Sequence, residues 1–169
     1  VDAGDNDPAT FFHCLGIAAR HATPRVRTPL PVFTPEHRPG LGVFARRYFE
    51  ALYARLKAPS VLVLDNYQEA AADSAFRDVV AEAAAALPTG VRLLVLSRAE
   101  PPAAFARLRA NEALTLLDGA ELKLTLDEAR AVAKQRDRGK LDPAVLERLY
   151  ERTGGWAAGL VLLLERPDL

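Results

Sequence analysis

Two short apolar runs, each ending in a polar pair, limit what this chain can become. Ser60-Val61-Leu62-Val63-Leu64-Asp65-Asn66 reads as a buried parallel strand that delivers a carboxylate to its C-terminal edge. Val91-Arg92-Leu93-Leu94-Val95-Leu96-Ser97-Arg98 repeats the design about thirty residues on, the spacing of one βαβ crossover. Adjacent parallel strands would bring an acid and an arginine to one edge, where open α/β sheets hold their ligands. A carboxylate that holds Mg²⁺ through water beside a phosphate-reading guanidinium suits a nucleotide site. The plainer reading is that Asp65 caps the turn after its strand.

The remaining chain supplies helices. Asp7 as N-cap and Pro8 at the first helical position start a helix through about residue 20, with Phe11, Leu15, Ala18 and Ala19 on one face. The acidic turn before it spaces its Asp residues like a calcium loop, but Pro8 stands where Gly is needed and no Glu closes it. His13 and Cys14 point apart on such a helix and make a poor metal pair. Pro24, Pro29, Pro31, Pro35 and Pro39 exclude regular helix or central strand over residues 22–42. That segment is expected to be an exposed loop; Arg25, Arg27, His37 and Arg38 could meet a partner, but their irregular spacing favours a plain solvated loop.

From Val43 a helical period returns, placing Phe44, Tyr48, Leu52 and Leu56 on a core stripe widened by Phe49 and Tyr53. An alanine-rich helix from about Asp73 to Leu87 completes the crossover and stops at Pro88-Thr89-Gly90. A short helix over residues 103–110 and two further strands, 114–117 and 122–124, are expected next. Thr125 and Glu128 form a capping box for a helix ending near Arg138-Gly139. Asp142-Pro143 starts another that stops at Thr153-Gly154-Gly155, and Trp156 anchors a last one through Leu164.

Composition fits a soluble α/β domain: of 169 residues, 50% are hydrophobic and 26% charged, with a formal net charge of zero. No basic excess argues for nucleic-acid contact, and no apolar run is long enough to cross a bilayer. The single Cys14 cannot form an internal disulfide, and no signal peptide is visible, so a cytoplasmic protein is expected. The chain begins with Val1 and has no Met, which predicts that it is cut from a longer polypeptide.

Four blocks carry a resemblance: LVLDNYQ (62–68), LPTGVRLLVLSRAEPP (87–102), ARLRANEALTLLDGAELKLTLDEA (106–129) and TGGWAAGL (153–160). In this order and spacing the chain resembles the ATPase core of STAND-class NTPases, in the branch of the large MalT/LuxR-type transcriptional activators. DAGDNDPATFF (2–12) is similar to the segment after the second strand of that core, whereas residues 22–42 depart from the family, which usually has a helix there. The resemblance implies a partial P-loop NTPase-like parallel sheet with flanking helices over residues 1–124, then a small helical subdomain over 125–169. It implies Asp65 as the Mg²⁺ acid acting through water, Asn66 in the position beside the attacking water, and Arg98 with Ser97 toward the nucleotide phosphate. It puts the Trp156 block near the adenine side.

A phosphate-cradling G-x-x-x-x-G-K-[ST] is absent from these residues: Gly139-Lys140 has Lys134 where the first Gly belongs and Leu141 in the Ser/Thr place. The resemblance puts that P-loop upstream, so this piece alone is expected to bind ATP weakly or not at all. The family often carries a second acid where Asn66 stands, and an amide orients water without accepting its proton, which implies slow hydrolysis and a nucleotide switch. The implied parent uses ATP or ADP with Mg²⁺, self-associates, and carries its sensor and DNA-binding domains C-terminally, with no nucleic-acid or membrane contact by this piece. Two alternatives stand beside it. One is a scaffold derived from an NTPase without nucleotide chemistry. The other is an unrelated α/β enzyme using Asp65 as nucleophile, which lacks a D-x-D phosphatase pattern at Asp65, a G-x-S-x-G elbow or a complementary His.

Overall fold

The structure, a computed structural model, describes residues 1, 4, 7–69, 75–136 and 141–165. The acidic turn before Asp7, the expected helix start at Asp73 and the expected helix end at Arg138-Gly139 lie outside the described residues. Seven α-helices and a two-stranded parallel sheet occur among those described. They fall into two compact units, Val1–Ala113 and Leu114–Leu169.

In the first unit, α1 (Pro8–Ala22) begins where the Asp7 carboxylate accepts from the Thr10 N–H at 3.2 Å. Its buried side is Phe11, Phe12, Gly16 and Ala19. Phe12 replaces the expected Ala18, which is exposed, because its ring enters an aromatic cluster of Phe33, Phe44 and Tyr48 at centroid distances of 5.7, 4.9 and 4.7 Å. The proline-rich segment is therefore only partly a solvated loop. Phe33 stacks on Phe12, and Pro35–Gly40 winds into a 3-10 turn where His37 Nδ1 accepts from the Thr34 N–H at 3.0 Å. Arg55 also holds the segment by donating to the Thr28 carbonyl. Helix α2 (Leu41–Tyr53) starts before Val43 and buries Phe44, Tyr48, Phe49, Leu52 and Tyr53; Leu56 lies beyond its end.

Strand β1 (Ser60–Leu64) leads through α3 (Phe76–Ala85) to β2 (Val91–Val95), and the strands pair in parallel from Ser60↔Val91 to Leu64↔Val95. The sheet departs from the expected burial on both faces. Leu64 and Val91 are buried, but Val61, Val63, Leu94 and Leu96 on the alternate side are 55, 49, 43 and 43% exposed. The short helix expected at 103–110 is a 3-10 turn, Ala103–Phe105, continuing into α4 (Ala106–Ala110).

In the second unit neither expected strand forms. Residues 114–117 and 122–124 are irregular or turn: among the described residues no strand pairs with them, and Leu116, Leu117 and Leu122 are exposed. The helices α5 (Leu126–Gln135), α6 (Pro143–Thr153) and α7 (Ala157–Leu164) pack around Ala129, Ala133, Leu146, Leu149, Leu160 and Leu164. Trp156 is not an anchor in this core: it is the residue before α7, 62% exposed, with its ring over Gly159 of its own helix. Leu160 and Leu164, one turn apart, fill the core instead.

No helix among the described residues is long and apolar enough to cross a membrane.

Candidate functional site

The parallel pairing of β1 with β2 brings the two polar strand ends together. The backbone ladder runs past the strands: the Leu96 N–H donates to the Leu64 carbonyl and the Tyr67 N–H to the Leu96 carbonyl, both at 2.9 Å. Between these rungs the chain turns sharply at Asn66, whose φ of +54° lies in the left-handed region that asparagine enters more readily than most side chains. The Asn66 N–H donates to Asp65 Oδ1 at 2.8 Å, so the plain reading of Asp65 as a turn residue is realised with one oxygen. Its second carboxylate oxygen has no partner among the described residues. On the neighbouring strand, Ser97 Oγ accepts from the Ala99 N–H at 3.1 Å, which shapes the turn carrying Arg98.

Asp65, Asn66, Ser97 and Arg98 are all exposed at this edge. Asp65 and Arg98 form no ion pair with each other; the ion pairs among the described residues lie elsewhere. Both residues are exposed at the strand ends, and the Val1 ammonium donates to the Asp65 backbone carbonyl at 2.9 Å. No group of three or more His, Cys, Asp or Glu side chains gathers around a possible metal among the described residues. One carboxylate fits magnesium held mainly by water and phosphate oxygens; it does not fit an all-protein cage. Two concave regions of the first unit lie away from this edge. One of about 390 Å³ is lined by Tyr53, Leu56, Pro88 and Val91, the other of about 580 Å³ by Val32, His37, Phe44 and Arg47.

Two residues that sequence reasoning passed over fix the geometry. Tyr67 is buried between Phe76 and Phe105, at ring distances of 5.7 and 5.9 Å, and ties the turn after β1 to α3 and to the 103–105 turn. Burial pushes its hydroxyl pKa up, with Arg77 as a smaller opposing influence and Asp78 a smaller reinforcing one. Gln68 reaches across the strands: its Oε1 accepts from the Arg98 N–H at 3.1 Å, and its Nε2 donates to Glu69 Oε1 at 3.2 Å and Asn66 Oδ1 at 3.4 Å. The one available signal was position. An aromatic directly after a strand's polar end must go into the core or out to water, and a long amide two residues past Asn66 is within reach of the neighbouring strand.

Over 165 residues, 96% of this chain, the sequence is 28% identical to the HTH-type transcriptional regulator MalT of Cronobacter sakazakii. It is 27% identical over the same length to the HTH-type transcriptional regulator MalT of Yersinia enterocolitica. The chain spans 18% of the length of each of these relatives. No family model matches the sequence, and no solved structure matches it. What the chain shares with known proteins is thus a distant likeness, along nearly its whole length, to one stretch of MalT-type transcriptional regulators.

Proposed function

We propose that this chain is the central part of a STAND-class regulatory ATPase with a P-loop NTPase-like core, in which ATP or ADP occupancy switches a transcriptional regulator. The observation that carries the reading is the parallel pairing of β1 with β2, which sets Asp65 and Arg98, both exposed, at one carboxyl edge. The likeness to MalT regulators supplies the biological context. Asp65 holds Mg²⁺ through water, Asn66 faces the attacking water, and Arg98, with Ser97 beside it, reads the terminal phosphate. Bound Mg²⁺ would neutralise phosphate charge. The protein's own part is to orient these groups, and with an amide at Asn66 no strong base faces the water. The reading assigns the phosphate cradle to polypeptide upstream of these residues, effector sensing and DNA binding to polypeptide downstream, and self-association to the ATP-bound parent.

The test is titration calorimetry with Mg-ATP and Mg-ADP, on this chain and on one lengthened by about 50–60 upstream residues, the span of the opening βα units. The longer chain is expected to bind and the shorter not. In the longer chain Arg98→Ala is expected to weaken Mg-ATP by about tenfold or more, the loss of one charge-assisted hydrogen bond. Binding by neither chain would overturn the switch and favour the scaffold reading, for which Asn66 already speaks.

A further inference from the structure

At the strand ends one acceptor comes from an unusual source. The Leu96 N–H donates to the Leu64 carbonyl and the Tyr67 N–H to the Leu96 carbonyl, but no backbone carbonyl among the described residues accepts from the Arg98 N–H. It donates to the side chain of Gln68 at 3.1 Å. The other end of the same amide donates to Asn66 Oδ1 at 3.4 Å and to Glu69 Oε1 at 3.2 Å. Gln68 therefore extends the ladder by one rung with a side chain, and that rung joins the residue beside Asp65 to the backbone that carries the Arg98 guanidinium.

We propose that Gln68 is a positioning residue that couples Asn66 on one strand end to Arg98 on the other, so that what occupies the first is felt at the second. The functional part of this rests on the nucleotide reading above; the coupling itself does not. A planar amide suits the task because its acceptor and donor are fixed relative to each other. A shift of Asn66 pulls on Nε2 and turns Oε1 away from the Arg98 N–H. A ligand with a third phosphate, touching both ends, would be distinguished from one without it through this rung.

The experiment has two arms. In the first, backbone-amide NMR of the 169-residue chain follows hydrogen exchange and chemical shift at Arg98. Gln68→Ala is expected to speed exchange there about tenfold, the loss of one hydrogen bond, with the Leu96 amide unchanged as the folding control. Asn66→Ala is expected to move the Arg98 resonance in the native background but not with Gln68→Ala. Gln68→Glu keeps the acceptor and removes the donor, so it should preserve Arg98 protection while abolishing the response to Asn66→Ala; it also serves if Gln68→Ala does not fold. Unchanged Arg98 exchange in Gln68→Ala, or an Arg98 resonance indifferent to Asn66 in the native background, would overturn the coupling whatever binds. In the second arm the upstream-lengthened chain is titrated with Mg-ATP and Mg-ADP. Gln68→Glu is expected to shrink the ratio of the two affinities about tenfold while leaving Mg-ADP affinity in place. If the native longer chain binds neither nucleotide, the switch reading falls while the first arm still decides the coupling. If it binds both and the ratio is unmoved by Gln68→Glu, the coupling has no part in nucleotide discrimination and that half of the proposal falls.

Discussion

Tyr48 and Tyr67 carry the same hydroxyl into the same unit, and only one of them finds an acceptor. Tyr48 Oη donates to the Phe12 carbonyl at 3.1 Å, whereas Tyr67 Oη is buried with no hydrogen-bond partner among the described residues. A buried hydroxyl with a partner stabilises slightly, and one without a partner costs its lost hydration. The two identical substitutions should therefore have opposite signs. Tyr67→Phe is expected to raise the unfolding free energy by about 1 kcal/mol and Tyr48→Phe to lower it by about as much, read from urea unfolding midpoints at constant slope. At this scale the sequence carried part of the site. Asp65 and Arg98 could be read because each directly follows an apolar strand, and a strand end is a local signal. Gln68 could not, since an amide's partners depend on a neighbouring strand's height and register, which no local pattern encodes. Nor did sequence distinguish Phe12 from Ala18 as a core residue, because the proline-rich segment that brings Phe33 against it reads locally as solvent-exposed chain.

Among elements, those with covalently local causes were legible. The caps at Asp7, Thr125 and Asp142 each form as expected, with the Thr125 N–H reaching Glu128 Oε2 at 2.7 Å and the Ala144 N–H reaching Asp142 Oδ1 at 2.8 Å. The strands at 114–117 and 122–124 were not, because a strand is a relation between two segments. The Leu124 N–H donates instead to the Gly155 carbonyl, at 2.8 Å. That contact makes Gly155 the critical point of the second unit. Its φ is +80°, and a Cβ there would lie 2.7 Å from the Leu124 carbonyl oxygen, which is backbone and cannot swing away. Gly155→Ala is expected to destabilise the second unit by about 2–4 kcal/mol, from backbone strain together with steric overlap. Thermal unfolding followed by Trp156 fluorescence checks it, since that ring sits on the adjacent residue. A loss under about 0.5 kcal/mol, the range of an ordinary surface change, would mean that the turn relaxes freely.

Taken as a whole, the molecule has opposite sensitivities in its two units. Burial pushes the Tyr48 hydroxyl up to about 12, against smaller lowering influences from Arg55 and Arg20, and burial also raises Tyr53. The folded pKa of Tyr48 lies above its unfolded value, so its contribution is complete below pH 10 and is lost as pH rises toward about 12. Tyr48 alone accounts for roughly 2–3 kcal/mol over that window. In the second unit Glu128 is lowered from 4.5 by the Thr125 backbone and hydroxyl hydrogen bonds, so its cap holds above that pH and weakens as pH falls through the depressed value. Alkaline titration followed by tyrosinate absorbance and far-ultraviolet dichroism is expected to melt the first unit before the second. Simultaneous loss of both would show that they unfold as one. The sheet's open side has a different consequence, one of handling rather than folding. Val61, Val63, Leu94 and Leu96 present an oily plane on a chain whose charges cancel and whose pI is near 7.0, so near neutrality little long-range repulsion keeps copies apart. Near that pH, crowding in the tube will be governed by four aliphatic side chains, and a buffer moved well away from neutrality will do more to keep the chain dispersed than added salt, which screens charge and favours apolar contact.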